Sequence, residues 1–255
     1  IIICILGVLI LVKLLIKKVP ISSKMSYLIA IGTSVCGATA IVATAPVINA
    51  KKSEVAYAIA NITLFGVIAM LIYPYFAEWY FDGAALNAGL FLGTSIHETS
   101  QVAAAGLIYD QQFNSPETLD AATVTKLIRN TFLVILIPLF AYLYNRGELK
   151  GQNYSILNIF PYFVLGFIGM IIVRNLGDQL FPLSSDKHAM WINLIGYLKT
   201  LATVFLTMAM AAVGISINLG ELKSMGYKPF VVGLIAAITV GIISLIYIET
   251  LNKLI

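Results

Sequence analysis

Gly32-Thr33-Ser34-Val35-Cys36-Gly37-Ala38-Thr39 lies in the middle of an uncharged apolar run from Met25 to Ala50, and Gly93-Thr94-Ser95-Ile96 repeats its opening inside a second such run. The likeness continues downstream, with Thr39 matching Ser100, Ile41 matching Val102 and Ala43 matching Ala104. Glycine beside hydroxyl side chains loosens a helix, through backbone entropy and through side-chain hydrogen bonds that compete with the helical ladder. Gly37 and Pro46 add to the first copy. Each motif therefore predicts a helix interrupted at mid-segment. In lipid such a break is tolerated only where it faces protein or a water-filled cavity, and repeated broken helices are a common way to build a transporter.

The rest of the chain supplies the lipid context. Of 255 residues, 60% are hydrophobic and 11% charged, against about 25% charged in a soluble domain. Crossing the hydrocarbon takes roughly 20 helical residues, and eight apolar segments come near that length: 1–16, 27–49, 55–77, 84–108, 123–144, 155–174, 190–217 and 229–249. The expected fold is an all-α integral membrane protein, a polytopic helical bundle with inverted repeats and two broken or re-entrant helices. Short loops predict a single transmembrane domain over residues 1–255. Tyr73, Tyr75, Trp79 and Tyr80 cluster as interfacial aromatics do. The chain starts inside the apolar run Ile1-Ile2-Ile3-Cys4-Ile5-Leu6, which reads as an N-terminal truncation. A net charge of +4 does not signal nucleic acid, because most of the Lys and Arg residues fall between spans, where positive-inside placement puts them. Cys4 and Cys36 match neither a zinc site nor a redox pair, and no cofactor is expected.

Loop charges constrain the path. Lys13, Lys17, Lys18 and Lys24 precede the first motif segment and Lys51 and Lys52 follow it, so both its ends read as cytoplasmic. Glu78, Asp82, Asp110, Glu117 and Asp120 surround the second, so both its ends read as external. Two re-entrant segments entering from opposite faces satisfy all of these charges; crossing, discontinuous spans are the alternative. Either choice leaves the loops at Arg146 to Lys150 and Lys223 to Lys228 cytoplasmic.

Several residues could carry chemistry. Glu98 is the acidic residue well inside a span, and intramembrane ionisable groups are functional candidates. His97-Glu98-Thr99-Ser100-Gln101 has Gln101 where a zinc protease would need its second His. On a continuous helix His97, Glu98 and Gln101 would form one polar stripe, in which His97 could exchange a coupling proton; a structural hydrogen-bond cluster is the other reading. Thr33, Ser34 and Thr39, with the amides around Gly32 and Gly37, could hold an anion at a half-helix start. Small residues that let helices approach closely are the plainer account of that stretch. Lys126 reads as snorkelling to the interface. Arg129, one turn deeper, reads as an anion gate or the partner of Glu98. Asn61 and Thr63 extend the polar lining. Met208 to Ser216 offers a small-residue packing surface, suited to sliding in a moving interface.

The motifs together carry a resemblance. Gly32 to Ile41, then Pro46, Glu54, Phe65-Gly66, Tyr73-Pro74, Gly93-Thr94-Ser95-Ile96-His97-Glu98, Gln101-Val102, Lys126, Arg129 and Met208-Ala209-Met210-Ala211 resemble, in order and spacing, the YeiH-type bacterial membrane proteins, a group named for sulfate export. Val35 and Thr39 stand where relatives often have Ile and Ser. The resemblance implies a multi-pass bacterial inner-membrane protein, related to the sodium/proton antiporter and bile-acid symporter superfamily. It also implies inverted repeats, unwound helices at the site, and members longer at the N-terminus. The expected function is secondary export of a small anion such as sulfate or a sulfonate; the alternative is a proton- or sodium-coupled cation or organic-acid transporter. An anion fits better because both Gly-Thr-Ser stretches lack Asp. Substrate contacts are expected from Gly32, Thr33, Ser34, Cys36, Gly37, Thr39, Thr94, Ser95 and Gln101, and coupling or gating from His97, Glu98, Arg129, Lys126 and Asn61. Expected partners are the lipid bilayer, the anion and a coupling proton or sodium ion, with a homo-oligomer left open. An intramembrane enzyme is the remaining reading, and the sequence offers it no nucleophile beyond Cys36.

Overall fold

A computed structural model of the chain describes residues 2–16, 21–46, 48–133, 135–137, 139, 162–182, 187–216 and 226–253. All regular structure among them is helical: α1 (Ile2–Ile16), α2 (Ser23–Ser34), α3 (Ala38–Thr44), α4 (Lys52–Phe81), α5 (Ala85–Ser95), α6 (Thr99–Phe113), α7 (Pro116–Thr131), α8 (Tyr162–Leu180), α9 (His188–Ser216) and α10 (Lys228–Asn252). They divide into two compact units, one drawn from Ile1–Ile159 and Ile217–Ile255, the other from Phe160–Ser216. The loops at Arg146 to Lys150 and at Lys223, and the side chains of residues 209–214, lie outside the described residues.

The central element is α4, whose 30 residues make about 45 Å of helix. Both α4 and α10 are long and apolar enough to cross a bilayer. Their outward faces carry large apolar side chains, including Leu64, Ile68, Leu71, Ile238, Ile242 and Ile246. α1 does the same with Ile2, Leu6, Ile10 and Leu14, spaced one turn apart. Polar residues turn inward instead, the arrangement a hydrocarbon solvent selects.

Both motif segments break where the sequence predicts, and both fold back. In the first, Ser22 caps α2 by accepting the Met25 amide at 3.1 Å, while its hydroxyl donates to Glu54 in the first turn of α4 at 2.5 Å. Lys24, at the same end of α2, donates to the Asn49 carbonyl beyond α3 at 2.7 Å. The start and finish of this segment therefore lie together, beside the N-terminal end of α4. In the second segment, α5 packs along α7 so closely that a Cβ at Gly89 or Gly93 would strike Thr118, Ala121, Ala122 or Thr125. The rising order of these pairs makes α5 parallel to α7. α6 runs the other way, with Gly106 against Leu119 and Thr99 accepting from Asn130 at 3.1 Å. The start and finish of α5–α6 lie together at the other end of α4, where Tyr109 donates to Glu78 at 2.5 Å. The two segments are thus re-entrant hairpins entering from opposite ends of α4, and the crossing alternative is set aside.

Their turns meet halfway along α4. Gly32 packs on Ile62, and Gln101 donates through Nε2 to the Thr63 carbonyl at 3.1 Å while its Oε1 lies against Gly66. A side chain on Gly66 would occupy the place of that amide. Around the second hairpin Phe91 is ringed by Tyr73, Phe76 and Phe81, with centroids 5.0, 5.6 and 6.0 Å away. Trp79 and Tyr75 project outward at the same end of α4, as interfacial aromatics do.

Some boundaries differ from the sequence reading. The fifth apolar segment, expected from residue 123, belongs to a helix that begins at Pro116 behind Ser115. Proline is pre-organised for a first helical turn, and hydropathy alone misses a start built from Glu117 and Asp120. In the second unit, α8 and α9 meet where the Trp191 indole donates to Asp178 at 2.8 Å and packs on Gly177. Arg174 and Asp178 form an exposed i,i+4 pair at 2.7 Å, worth little by itself.

Candidate functional site

The two hairpin turns differ in backbone. In the first, Gly37 sits at φ 64, ψ −126, a conformation open to glycine and strained for other residues. In the second, Ile96 and Glu98 are extended, at φ −83, ψ 142 and φ −92, ψ 142. Each first limb ends with helical carbonyls that have no intrahelical donor, and these ends carry the negative pole of the helix dipole.

Two fully buried cations of α7 fill that gap. Lys126 donates to the carbonyls of Val35 at 2.7 Å, Ile96 at 2.9 Å and His97. Arg129 donates to those of Ser34 at 2.7 Å, Thr94 at 2.7 Å, Ile96 at 3.3 Å and Thr33. Val35 corresponds to Ile96 and Thr33 to Thr94 in the sequence repeat, so each cation bridges equivalent carbonyls of the two hairpins. The ends of α2 and α5 are cross-linked by one face of one helix.

This arrangement corrects two expectations. Lys126 does not snorkel: both it and Arg129 are 0% exposed, because α7 starts at Pro116 and carries them well inside the protein. Arg129 is not hydrogen-bonded to Glu98; its donors go to backbone oxygens. Glu98, 4% exposed, instead accepts the Ala38 amide of the first hairpin through Oε1. It caps α3 from across the joint, where Gly37 has no side chain to do so. A Cβ on Gly37 would collide with that carboxylate.

The expected polar stripe from His97 to Gln101 is also redrawn, because α6 begins at Thr99 and leaves His97 and Glu98 in the linker. His97 is buried, and no partner for its Nδ1 lies among the described residues. The same holds for Thr33 Oγ1, Thr63 Oγ1, Gln101 Oε1 and Asn130 Oδ1. Buried polar atoms left unpaired are costly and mark places where water, an ion or a ligand belongs.

The remaining candidates separate. Ser34, Thr94 and Ser95 turn their hydroxyls back onto the carbonyls of Ala30, Leu90 and Phe91, so their protons are occupied within their own helices. Thr94 also meets Ser244 of α10, a contact no sequence signal announced beyond a hydroxyl in an apolar run. Gly32 serves packing, and its carbonyl accepts the Gly37 amide at 2.9 Å. Cys36 lies in an apolar cluster with Ile5, Ile31, Val35 and Leu136. Thr39 is exposed and stands apart. Asn61 faces α10, donating to the Pro229 carbonyl at 2.8 Å and pressing on Gly233.

An all-helical membrane protein whose two opposed hairpins meet around buried cations is the class that fold and site define. The sequence profile described as "Conserved hypothetical protein 698" matches residues 1–233, and the chain belongs to that family, in agreement with the YeiH-type resemblance. A UPF0324 membrane protein of Fusobacterium nucleatum subsp. nucleatum is 35% identical over 242 residues, covering 93% of this chain and 69% of that protein. One from Streptococcus agalactiae serotype V is 36% identical over 232 residues, 89% of this chain and 64% of the relative. One from Streptococcus pneumoniae serotype 4 is 36% identical over 224 residues, 86% of this chain and 62% of the relative. The chain thus spans a little under two thirds of these streptococcal relatives. No solved structure matches it.

Proposed function

We propose that the protein is a multi-pass secondary transporter of the bacterial inner membrane that exports a small anion such as sulfate or a sulfonate, binding it where the two hairpins meet. One observation carries the reading. Six backbone carbonyls at the hairpin turns, the kind of oxygen cage a transported cation would use, are already held by Lys126 and Arg129. Against these two positive charges the joint sets, among the described residues, a single carboxylate, Glu98. A buried centre with surplus positive charge in a low dielectric attracts an anion strongly. Thr33, His97 and Gln101, with the unpaired amides of the first turn of α6, are the groups left to touch it. Lys126 and Arg129 act on it by charge at a distance, since their donors face the carbonyls.

The test is uptake and efflux of radiolabelled sulfate in proteoliposomes, with methanesulfonate as competitor and with proton and sodium gradients imposed in turn. Sulfate flux well above that of empty vesicles, blocked by the sulfonate, is the expected result. Flux of labelled sodium or rubidium without any sulfate movement would favour the cation-transport alternative instead.

A further inference from the structure

We infer that Glu98 takes up a proton when the anion binds, so that proton and anion occupy the joint together and leave it together. The inference deepens the transporter reading and rests on it.

The geometry supplies the argument. Glu98 is the carboxylate at the joint, and it touches both hairpins: it belongs to the second and accepts the Ala38 amide of the first. Among the described residues no cation is bonded to it, because the three ammonium protons of Lys126 go to Val35, Ile96 and His97 and Arg129 is held by carbonyls. The single ion pair among the described residues, Arg174 with Asp178, belongs to the other compact unit. The titratable or charged groups around Glu98 are Lys126 and Arg129 on α7, His97 beside it and Cys36 in the opposite turn. The polar groups by which α4 and α10 meet the second hairpin include Thr63, whose carbonyl accepts from Gln101, and Ser244, which meets Thr94; neither titrates in this range.

An anion entering this space places a second negative charge near the first, away from bulk water, where like charges repel strongly. One proton on the carboxylate removes that repulsion, and the two cations then face the anion alone. Binding of either therefore favours the other, and the coupling is reciprocal. The step is Glu98 carboxylate plus a proton giving the carboxylic acid. The proton comes from water on the side to which the joint is open and returns to water when the anion leaves; no bond but O–H is made or broken. Protonation also weakens Glu98 as acceptor for the Ala38 amide, so the link between the hairpins loosens only in the loaded state. Anion moving outward down its own gradient carries a proton out with it.

Two measurements decide it. In vesicles loaded with sulfate and a pH-reporting dye, the number of protons leaving per sulfate is expected to be about one for the wild type and near zero for Glu98→Gln. That substitution keeps an oxygen for the Ala38 amide, and normalising to sulfate moved removes any change in rate. An unchanged ratio in the variant overturns the inference. In detergent, adding sulfate to weakly buffered protein should draw protons from solution and raise an infrared band of a protonated carboxyl, and both signals should vanish in Glu98→Gln. If the wild type neither binds nor moves sulfate, the transporter reading fails. If it does both without proton uptake, only the role given to Glu98 fails.

Discussion

The two hairpins share the Gly-Thr-Ser end of the first limb and differ at the turn that follows. The shared ends present equivalent carbonyls to the same two cations. Past the turn, the first hairpin places Gly37 at positive φ and a second limb of 7 residues, where the second places Glu98 and a limb of 15. The glycine of one leaves the room that the glutamate of the other fills. The repeated Gly-Thr-Ser thus furnishes the symmetric, structural half of the joint, and the differing residue at the turn furnishes its acid.

Substitutions separate the two halves of the joint, and the largest effect should come from the shared one. Lys126→Met and Arg129→Met each leave carbonyls of both hairpins without donors, and should cost about 3–5 kcal/mol, read as a lowered unfolding midpoint of the purified protein in detergent. Arg129→Lys, lacking the planar fork, should recover only part of that. Next comes the divergent half. Gly37→Ala should cost about 2–4 kcal/mol from backbone strain and from collision with Glu98. Pairing it with Glu98→Ala should give a loss smaller than the sum of the two single losses, because the collision disappears while the strain stays; strict additivity in the same melts would mean the two residues do not share space. A smaller effect is expected at Ser244→Ala, about 1 kcal/mol for the contact with Thr94. Thr39→Ala, exposed and outside the joint, should change stability by less than about 0.5 kcal/mol.

Much of this was legible in the chain of residues. Glycine next to hydroxyls located both breaks, and the loop charges, lysines around one segment and acids around the other, pointed to re-entry from opposite faces. Two misreadings have physical causes. Lys126 looked like a residue at the mouth of a span because the first turns of α7 are polar, and hydropathy places the start of a helix where apolar residues begin. Once Pro116 and Ser115 set the true start, Lys126 falls deep inside. The stripe from His97 to Gln101 assumed an unbroken helix just where the motif had argued for a break. Which hydroxyls would fold back onto their own helix, as Ser34, Thr94 and Ser95 do, depends on rotamers that sequence does not encode. The exposure of Thr39 depends on the direction in which α3 leaves its turn, set by Gly37.

A hairpin that leaves by the face it entered is silent in the parity of the chain. Deleting or inserting one would turn none of the later spans over, so Lys24 and Lys51 should be labelled by an impermeant reagent from one side, and Asp82 and Asn114, converted to the same reactive residue, from the other. Duplicating such a unit and inverting it therefore asks nothing of the machinery that threads the remaining helices.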